Sequence, residues 1–274
     1  MRGALTVETD AACKSGRDGA EYSNICLCLG GIEFIIGVVV MLVSRNFDDV
    51  EIEQLGLNGK VRAESEVAFG DRVGVILIHG RAGDENVMWV FSRAIEDLDP
   101  IVIAPRGLVP DPIGGYSWWN LHHDPNTEES PSPSHSKLAQ VKPAIDKIIE
   151  AAKKMPEMYG VDPNKIFVLG FSQGGAVSIS CAMEHPQMFR GVGMLASFVP
   201  SVIKEKYADC DLSGLNVFIS HGTKDRIIPI ERAKEGLDFL TERGANVAYN
   251  EDEVGHKISS AGIKSFKNWL MERA

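Results

Sequence analysis

The chain has 274 residues, 44% of them hydrophobic and 24% charged, which excludes a disordered polypeptide, a collagen-like repeat and a small disulfide scaffold. Lys and Arg number 28 against 38 Asp and Glu, a formal net charge of −10; such a surface repels phosphate backbones and anionic lipid, so nucleic acid is not expected as a partner. Cys13, Cys26, Cys28, Cys181 and Cys210 form no zinc-ligand spacing, and their odd number points to free thiols in a reducing, cytoplasmic setting.

Residues 1–44 read as an N-terminal extension and residues 45–274 as one α/β domain. Within the extension, residues 25–43 are almost wholly apolar, broken by Glu33 and by Gly30, Gly31 and Gly37. The run is long enough to span a bilayer, but a central glutamate costs roughly 2.5–3.5 kcal/mol there. The preceding region is long and net acidic, unlike a secretory signal. Three readings stand side by side: a weak membrane anchor, an apolar element packed on the domain, and an artefact of start-site choice, with Met41 as the natural first residue.

From Val50 the pattern changes. Val50-Glu51-Ile52-Glu53 alternates apolar and polar, and Asn58-Gly59 offers a turn, which together predict an opening antiparallel hairpin. Residues 73–78 are a continuous apolar run ending at His79-Gly80, as in a buried parallel strand. Val87, Val90, Phe91, Ala94 and Ile95 recur at helical spacing, and residues 101–104 form a second buried strand stopped by Pro105. Residues 106–136 stand apart as a long loop of Pro, Ser, Asn and acidic residues. The apolar Tyr116-Ser117-Trp118-Trp119 in it favours a partial cover over a pocket. Beyond it, Leu138, Val141, Ile145, Ile148, Ile149 and Ala152 mark a helix with Pro143 near its first turns. Strands follow at 166–169, 192–195, 217–220 and 247–249, with helices from about 174, around 233–240 and over 258–270. This alternation predicts a mostly parallel sheet with helices on both faces.

The chemistry centres on Gly170-Phe171-Ser172-Gln173-Gly174, a G-x-S-x-G motif between a buried strand and a helix. Such an elbow strains its central residue and lifts the hydroxyl above the sheet, while Gly170 and Gly174 let the chain pass without clash. A serine hydroxyl needs a base to take its proton, and histidine is the side chain suited to that near neutrality. Of the seven histidines, His79 and His221 end strands and precede glycine, a loop-shaping position. His122, His123 and His135 lie in the long loop, and His185 lies at the far end of the helix after the elbow. His256 follows the last strand, at the carboxyl edge of the sheet where ligands bind in open α/β folds, and is the expected base. Asp225 follows the strand at 217–220 and lies between Ser172 and His256 in the chain, the order expected for the orienting acid. Asp209 and Asp211 precede that strand and Asp238 falls in a helix, so they read as caps or solvated charges. The oxyanion of a tetrahedral intermediate needs backbone donors, expected from Gln173 and from Arg81 in the loop after 73–78.

His79-Gly80-x-x-Gly83-Asp84, Gly170-Phe-Ser-Gln-Gly-Gly175, His221-Gly-x-x-Asp225 with Pro229, and Gly255-His256 together resemble the phospholipase/carboxylesterase family, which includes the acyl-protein thioesterases. The resemblance covers residues 65–274. It implies an α/β-hydrolase fold and a cofactor-free, metal-free serine hydrolase acting on esters or thioesters with an apolar acyl part. By position it makes Ser172, Asp225 and His256 the triad and Arg81 and Gln173 the oxyanion hole. The segment with Trp118 and Trp119 resembles the family's aromatic site edge, an acyl-pocket wall. The chain departs from the pattern at Arg81, where a small or apolar residue is common, over 106–136, and in its first 40 residues. The expected activity is a carboxylesterase for short to medium acyl esters. An acyl-protein thioesterase, a lysophospholipase and a non-catalytic hydrolase-fold binding protein are the alternatives. The expected partner is a small ester or acyl substrate, with membrane contact only through residues 25–43.

Overall fold

The uninterrupted apolar runs become neighbouring parallel strands, because only a strand covered on both faces can bury every side chain. A computed structural model describes residues 25–29, 32–36, 55–63, 65–120 and 137–274, and the chain divides into two units, Met1–Asn46 and Phe47–Ala274. In the first unit, β1 (Ile25–Leu29) pairs antiparallel with β2 (Ile32–Ile36), Leu29 lying opposite Ile32. The apolar run at 25–43 thus contains two short strands, and residues 37–43 lie outside the described residues. No helix among the described residues is long and apolar enough to cross a membrane.

In the second unit the strands are β3 (Gly59–Arg62), β4 (Arg72–Ile78), β5 (Ile101–Pro105), β6 (Val109–Pro110), β7 (Tyr116–Ser117), β8 (Val161–Phe171), β9 (Gly191–Leu195), β10 (Asn216–Gly222) and β11 (Asn246–Asp252). Seven of them form one sheet in the order β11-β10-β9-β8-β4-β5-β3. All its pairings are parallel except that of β3 with β5. β6 and β7 make a small hairpin within the long loop, and residues 121–136 of that loop lie outside the described residues.

Among the described residues, six α-helices accompany these strands: α1 (Trp89–Ala94), α2 (Leu138–Tyr159), α3 (Gln173–Glu184), α4 (Ser201–Lys206), α5 (Ile230–Glu242) and α6 (Ser260–Met271). Side chains alternate across a strand, and β4 divides them between two cores. Ile76 and Ile78 pack with α2, α3 and α5 through Ile145, Val177 and Leu240. Val73, Val75 and Leu77 pack on the other face with α1 and α6 through Phe91, Phe266 and Trp269. Full burial of each such side chain stabilises by about 1.5–3 kcal/mol, so the two cores fix the strand ends that carry the site. α2 begins where the Lys137 N–H donates to Gln140 Oε1 at 2.7 Å. It ends at Gly160, whose φ of 66° lies in the left-handed region that a residue without Cβ enters freely.

Two local expectations need correction. Residues 50–53 of the expected hairpin lie outside the described residues, and Gly59 opens β3 opposite Pro105. Asn58-Gly59 therefore leads into a strand whose partner is more than forty residues away, instead of turning a hairpin. In the helix expected over 87–95, Val87 and Val90 are exposed, whereas Met88, Phe91 and Ile95 are buried. A helix as short as α1 presents one narrow stripe, and Met88 takes the place that the spacing assigned to its neighbours.

Candidate active site

Ser172 stands where β8 becomes α3, with φ 52° and ψ −117°, a backbone region that residues bearing a Cβ rarely adopt. Neighbouring groups hold it there. Its N–H donates to Leu195 O at 2.8 Å, and its carbonyl accepts from Ser197 Oγ at 2.7 Å and from the Gly175 N–H at 3.0 Å. A Cβ on Gly170 would overlap the Gly174 carbonyl, and one on Gly174 would overlap the Ile78 carbonyl. The two glycines expected at the elbow thus sit where backbones touch.

Asp225 and His256 come from neighbouring strands. β10 and β11 run side by side to the pair Gly222–Asp252, and the Lys224 N–H then donates to Val254 O at 2.9 Å, so the two following loops leave the sheet together. Asp225 is buried. Its Oδ1 accepts from the N–H groups of Ile227 (2.8 Å) and Ile228 (3.0 Å), and its Oδ2 lies 2.7 Å from His256 Nδ1. A carboxylate only accepts, so the His256 proton sits on Nδ1. Nε2 then turns its lone pair to the Ser172 hydroxyl, 3.0 Å away. The structure therefore brings Ser172, His256 and Asp225 together in one hydrogen-bonded line, and the Phe171 ring flanks the imidazole at 4.9 Å between centroids.

The other described histidines are engaged elsewhere. His79 Nε2 accepts from the Gly107 N–H at 2.8 Å and its Nδ1 lies 2.6 Å from Gly80 O, which joins the loop after β4 to the start of the long loop. His221 Nε2 donates to Ile228 O at 2.8 Å and lies 3.4 Å from Asp225 Oδ2, behind the line of three. Burial pushes the pKa of both below the usual histidine value. His185 caps the end of α3 remote from Ser172, and His122, His123 and His135 lie outside the described residues. Asp211 accepts from the Ser213 N–H at 2.9 Å, and Asp238 lies in α5.

Arg81 and Gln173 line the same cleft as Ser172 and His256. The Gln173 N–H occupies the first position of α3, where the helix supplies no acceptor and the dipole is positive. The loop carrying Arg81 is braced by the β6–β7 hairpin. The Tyr116 N–H donates to Gly83 O at 2.7 Å and the Ala82 N–H to Ser117 Oγ at 3.3 Å, while Arg81 Nε donates to Asp111 Oδ2 at 2.9 Å. Burial raises the Asp111 pKa, and hydrogen bonds from Arg81 and Ser117 outweigh it, leaving the carboxyl below its ordinary value.

Trp118 and Trp119 stand elsewhere than expected. They are 1% and 2% exposed, belong to the core on the α2–α3 face, and are not among the residues lining the cleft. Trp118 is buried because its polar edge is satisfied: Nε1 donates to His79 O at 2.8 Å, and its backbone N–H donates to Gln173 Oε1 at 2.8 Å. Gln173 Nε2 in turn donates to Trp119 O at 3.0 Å. The pair therefore supports the loop and the elbow from behind. The apolar lining of the cleft, about 400 Å³ in volume, comes instead from Ile113, Phe171, Ile227 and Ile228. Sequence reasoning passed over Ile113 and Arg226; the signal for both was position, Ile113 in a Pro-Gly-rich turn of the long loop and Arg226 directly after the expected acid.

The sequence matches the phospholipase/carboxylesterase family over residues 70–273. It is 29% identical over 191 residues to carboxylesterase SOBER1 of Arabidopsis thaliana, covering 69% of this chain and 78% of that protein. To acyl-protein thioesterase 1 of Yarrowia lipolytica it is 27% identical over 223 residues, covering 72% and 90%. The crystal structure of a carboxylesterase from Mesorhizobium loti superposes with a TM-score of 0.66 at 20% identity, covering 78% of this chain and 94% of that one. That likeness shows the fold, a mostly parallel seven-stranded α/β-hydrolase sheet. The chain belongs to the phospholipase/carboxylesterase family of α/β hydrolases.

Proposed function

We propose that the protein is a serine carboxylesterase that cleaves short to medium acyl esters through an acyl-Ser172 intermediate. The observation that carries this reading is His256 standing between Ser172 Oγ (3.0 Å) and Asp225 Oδ2 (2.7 Å). As Ser172 Oγ attacks the ester carbonyl carbon, its proton passes to His256 Nε2, and Asp225 steadies the imidazolium through Nδ1–H. The negative charge on the former carbonyl oxygen is met by the N–H groups of Arg81 and Gln173. Collapse breaks the bond to the alcohol, which leaves with the proton from His256. A water molecule then gives its proton to His256 and attacks the acyl-enzyme, and the acid departs as Oγ regains a proton. Every step uses groups of this chain, the ester and one water molecule.

The apolar wall of Ile113, Phe171, Ile227 and Ile228 supports an aliphatic acyl part. The deciding experiment is turnover of a p-nitrophenyl ester series by the full chain and by Ser172→Ala, run beside acyl-thioesters of matched length. Loss of Oγ should lower kcat by roughly 10⁴ or more while the protein stays folded. Ser172→Ala keeping about a tenth of the activity would remove Ser172 from the reaction, and faster cleavage of thioesters than of matched esters would favour the thioesterase reading.

A further inference from the structure

The cleft combines features that hydrolysis of a neutral ester does not use. Its lining contains two arginines and, among the described residues, no Asp or Glu, in a chain whose net charge is −10. The two arginines differ in state. Arg81 is bound to the nearly buried carboxylate of Asp111, so its charge is largely answered within the protein. Arg226 has no hydrogen-bond or ion-pair partner among the described residues, although Lys224, two positions away, pairs with Glu253 at 3.0 Å. The backbone beneath Arg226 is nevertheless fixed, because Asp225 Oδ1 accepts from the N–H groups of both Ile227 and Ile228. A guanidinium on an anchored turn, with no internal counter-ion among the described residues, is a fork suited to two oxygens of a carboxylate or phosphonate supplied from outside. Beside it, Ile227 and Ile113 are 65% and 76% exposed while lining the same cleft. Isoleucines left in water around a reaction centre mark surface that a ligand can cover.

We propose that Arg226 recognises an anionic group on the substrate. The preferred esters are then amphiphilic, with an aliphatic segment against Ile113 and Ile227 that ends in a carboxylate or phosphonate-like anion at the guanidinium. The acidic remainder of the protein enforces this locally, since an anion is repelled by most of the surface and attracted where the cleft exposes an unanswered positive charge. The reaction in this proposal rests on the esterase reading above; the binding does not.

The test uses substrates that differ only in the terminal group. Ethyl hexanoate and monoethyl adipate have the same acyl length, a methyl in one being a carboxylate in the other, and ethyl 5-phosphonopentanoate, with phosphorus in place of that terminal carbon, supplies the phosphorus counterpart. Hydrolysis of monoethyl adipate yields adipate, ethanol and a proton, so a pH-stat follows it directly. For the wild-type chain at low salt, kcat/KM for one of the two anionic esters should exceed that for ethyl hexanoate at least about fivefold, and the ratio should shrink as salt rises. Arg226→Gln should lower the anionic-to-neutral ratio roughly tenfold, Arg226→Lys should restore part of it, and Arg226→Glu should invert it. Which anionic ester leads identifies the oxyanion. A ratio that Arg226→Gln leaves unchanged, in an enzyme that cleaves ethyl hexanoate, overturns the proposal while the esterase reading stands. Calorimetric binding of adipamate, the half-amide of adipate, covers the converse. If no ester is cleaved but adipamate binds and Arg226→Gln weakens it roughly tenfold relative to hexanamide, recognition stands and the esterase reading fails.

Discussion

Gln173 Oε1 accepts the backbone N–H of Trp118 at 2.8 Å, so the residue that follows Ser172 also grips the segment behind the loop after β4. Its Nε2 completes the clamp on Trp119 O at 3.0 Å. Gln173 thus lines the cleft beside Ser172 and His256 while its side chain fixes the frame around it.

Removing that side chain should cost stability and activity together. Gln173→Ala leaves the Trp118 N–H buried without its acceptor and removes one hydrogen bond to the Trp119 carbonyl, a loss of about 2–4 kcal/mol at the usual cost of such groups. Urea unfolding measures it, and a loss below about 1 kcal/mol would show that the clamp contributes little.

The tryptophans behave as core in this structure, which reverses the expectation for an acyl-pocket wall. Trp119→Ala should lower unfolding free energy by about 3–5 kcal/mol and reduce kcat/KM for acetyl and octanoyl esters to a similar extent. Trp118→Phe, which removes the bond from Nε1 to His79 O together with part of the buried ring volume, should cost about 2–4 kcal/mol. A loss confined to long acyl chains in either variant would return the pair to the pocket.

Acid should destabilise the fold through its buried imidazoles. Burial lowers the pKa of His79 and His221 in the folded chain, so on acidification the unfolded chain takes up these protons first. Stability from the neutral rings is complete above their unfolded value of about 6.5 and is lost as pH falls from there toward the lowered folded values. The His79 contacts explain part of the cost, because a protonated Nε2 cannot accept from the Gly107 N–H. His79→Gln should flatten the fall in unfolding free energy between about pH 7 and pH 5. An unchanged slope would place the acid sensitivity elsewhere.

The parallel strands and the line of three residues were legible because both are written locally. A strand buried on both faces is a continuous apolar run, and the elbow and the loops after β10 and β11 each carry short glycine-marked motifs at strand ends. Contacts that join distant segments were not legible. Nothing near Trp118 in sequence announces His79 O and Gln173 Oε1 as its partners, so an aromatic pair in a polar loop reads as a pocket wall. β3 pairs antiparallel with β5 at the edge of the sheet, which Asn58-Gly59 alone cannot reveal. Arg226 and Ile113 gain meaning only when the fold sets them in one cleft.

Each residue placed in the proposed chemistry lies at Arg81 or beyond, so the N-terminal residues are not expected to take part in the reaction. A chain beginning at Met41 should fold and keep kcat. If residues 25–43 covered apolar surface of the domain, exposing a few hundred Å² would cost several kcal/mol at about 25 cal/mol per Å². Differential scanning calorimetry decides: a melting temperature lowered by roughly ten degrees would show such cover. Partition of the full chain alone into vesicles would show an anchor.

Activation of Ser172 by His256 is tested most directly by a fluorophosphonate, which forms a stable adduct only with an activated hydroxyl. Tryptic mass spectrometry should find a single adduct, on the peptide containing Ser172. The labelling rate should fall roughly 10²–10⁴-fold in His256→Gln, and labelling should be absent in Ser172→Ala. An adduct on another residue, or equal rates with and without the His256 imidazole, would contradict the reading that these two side chains form the catalytic pair.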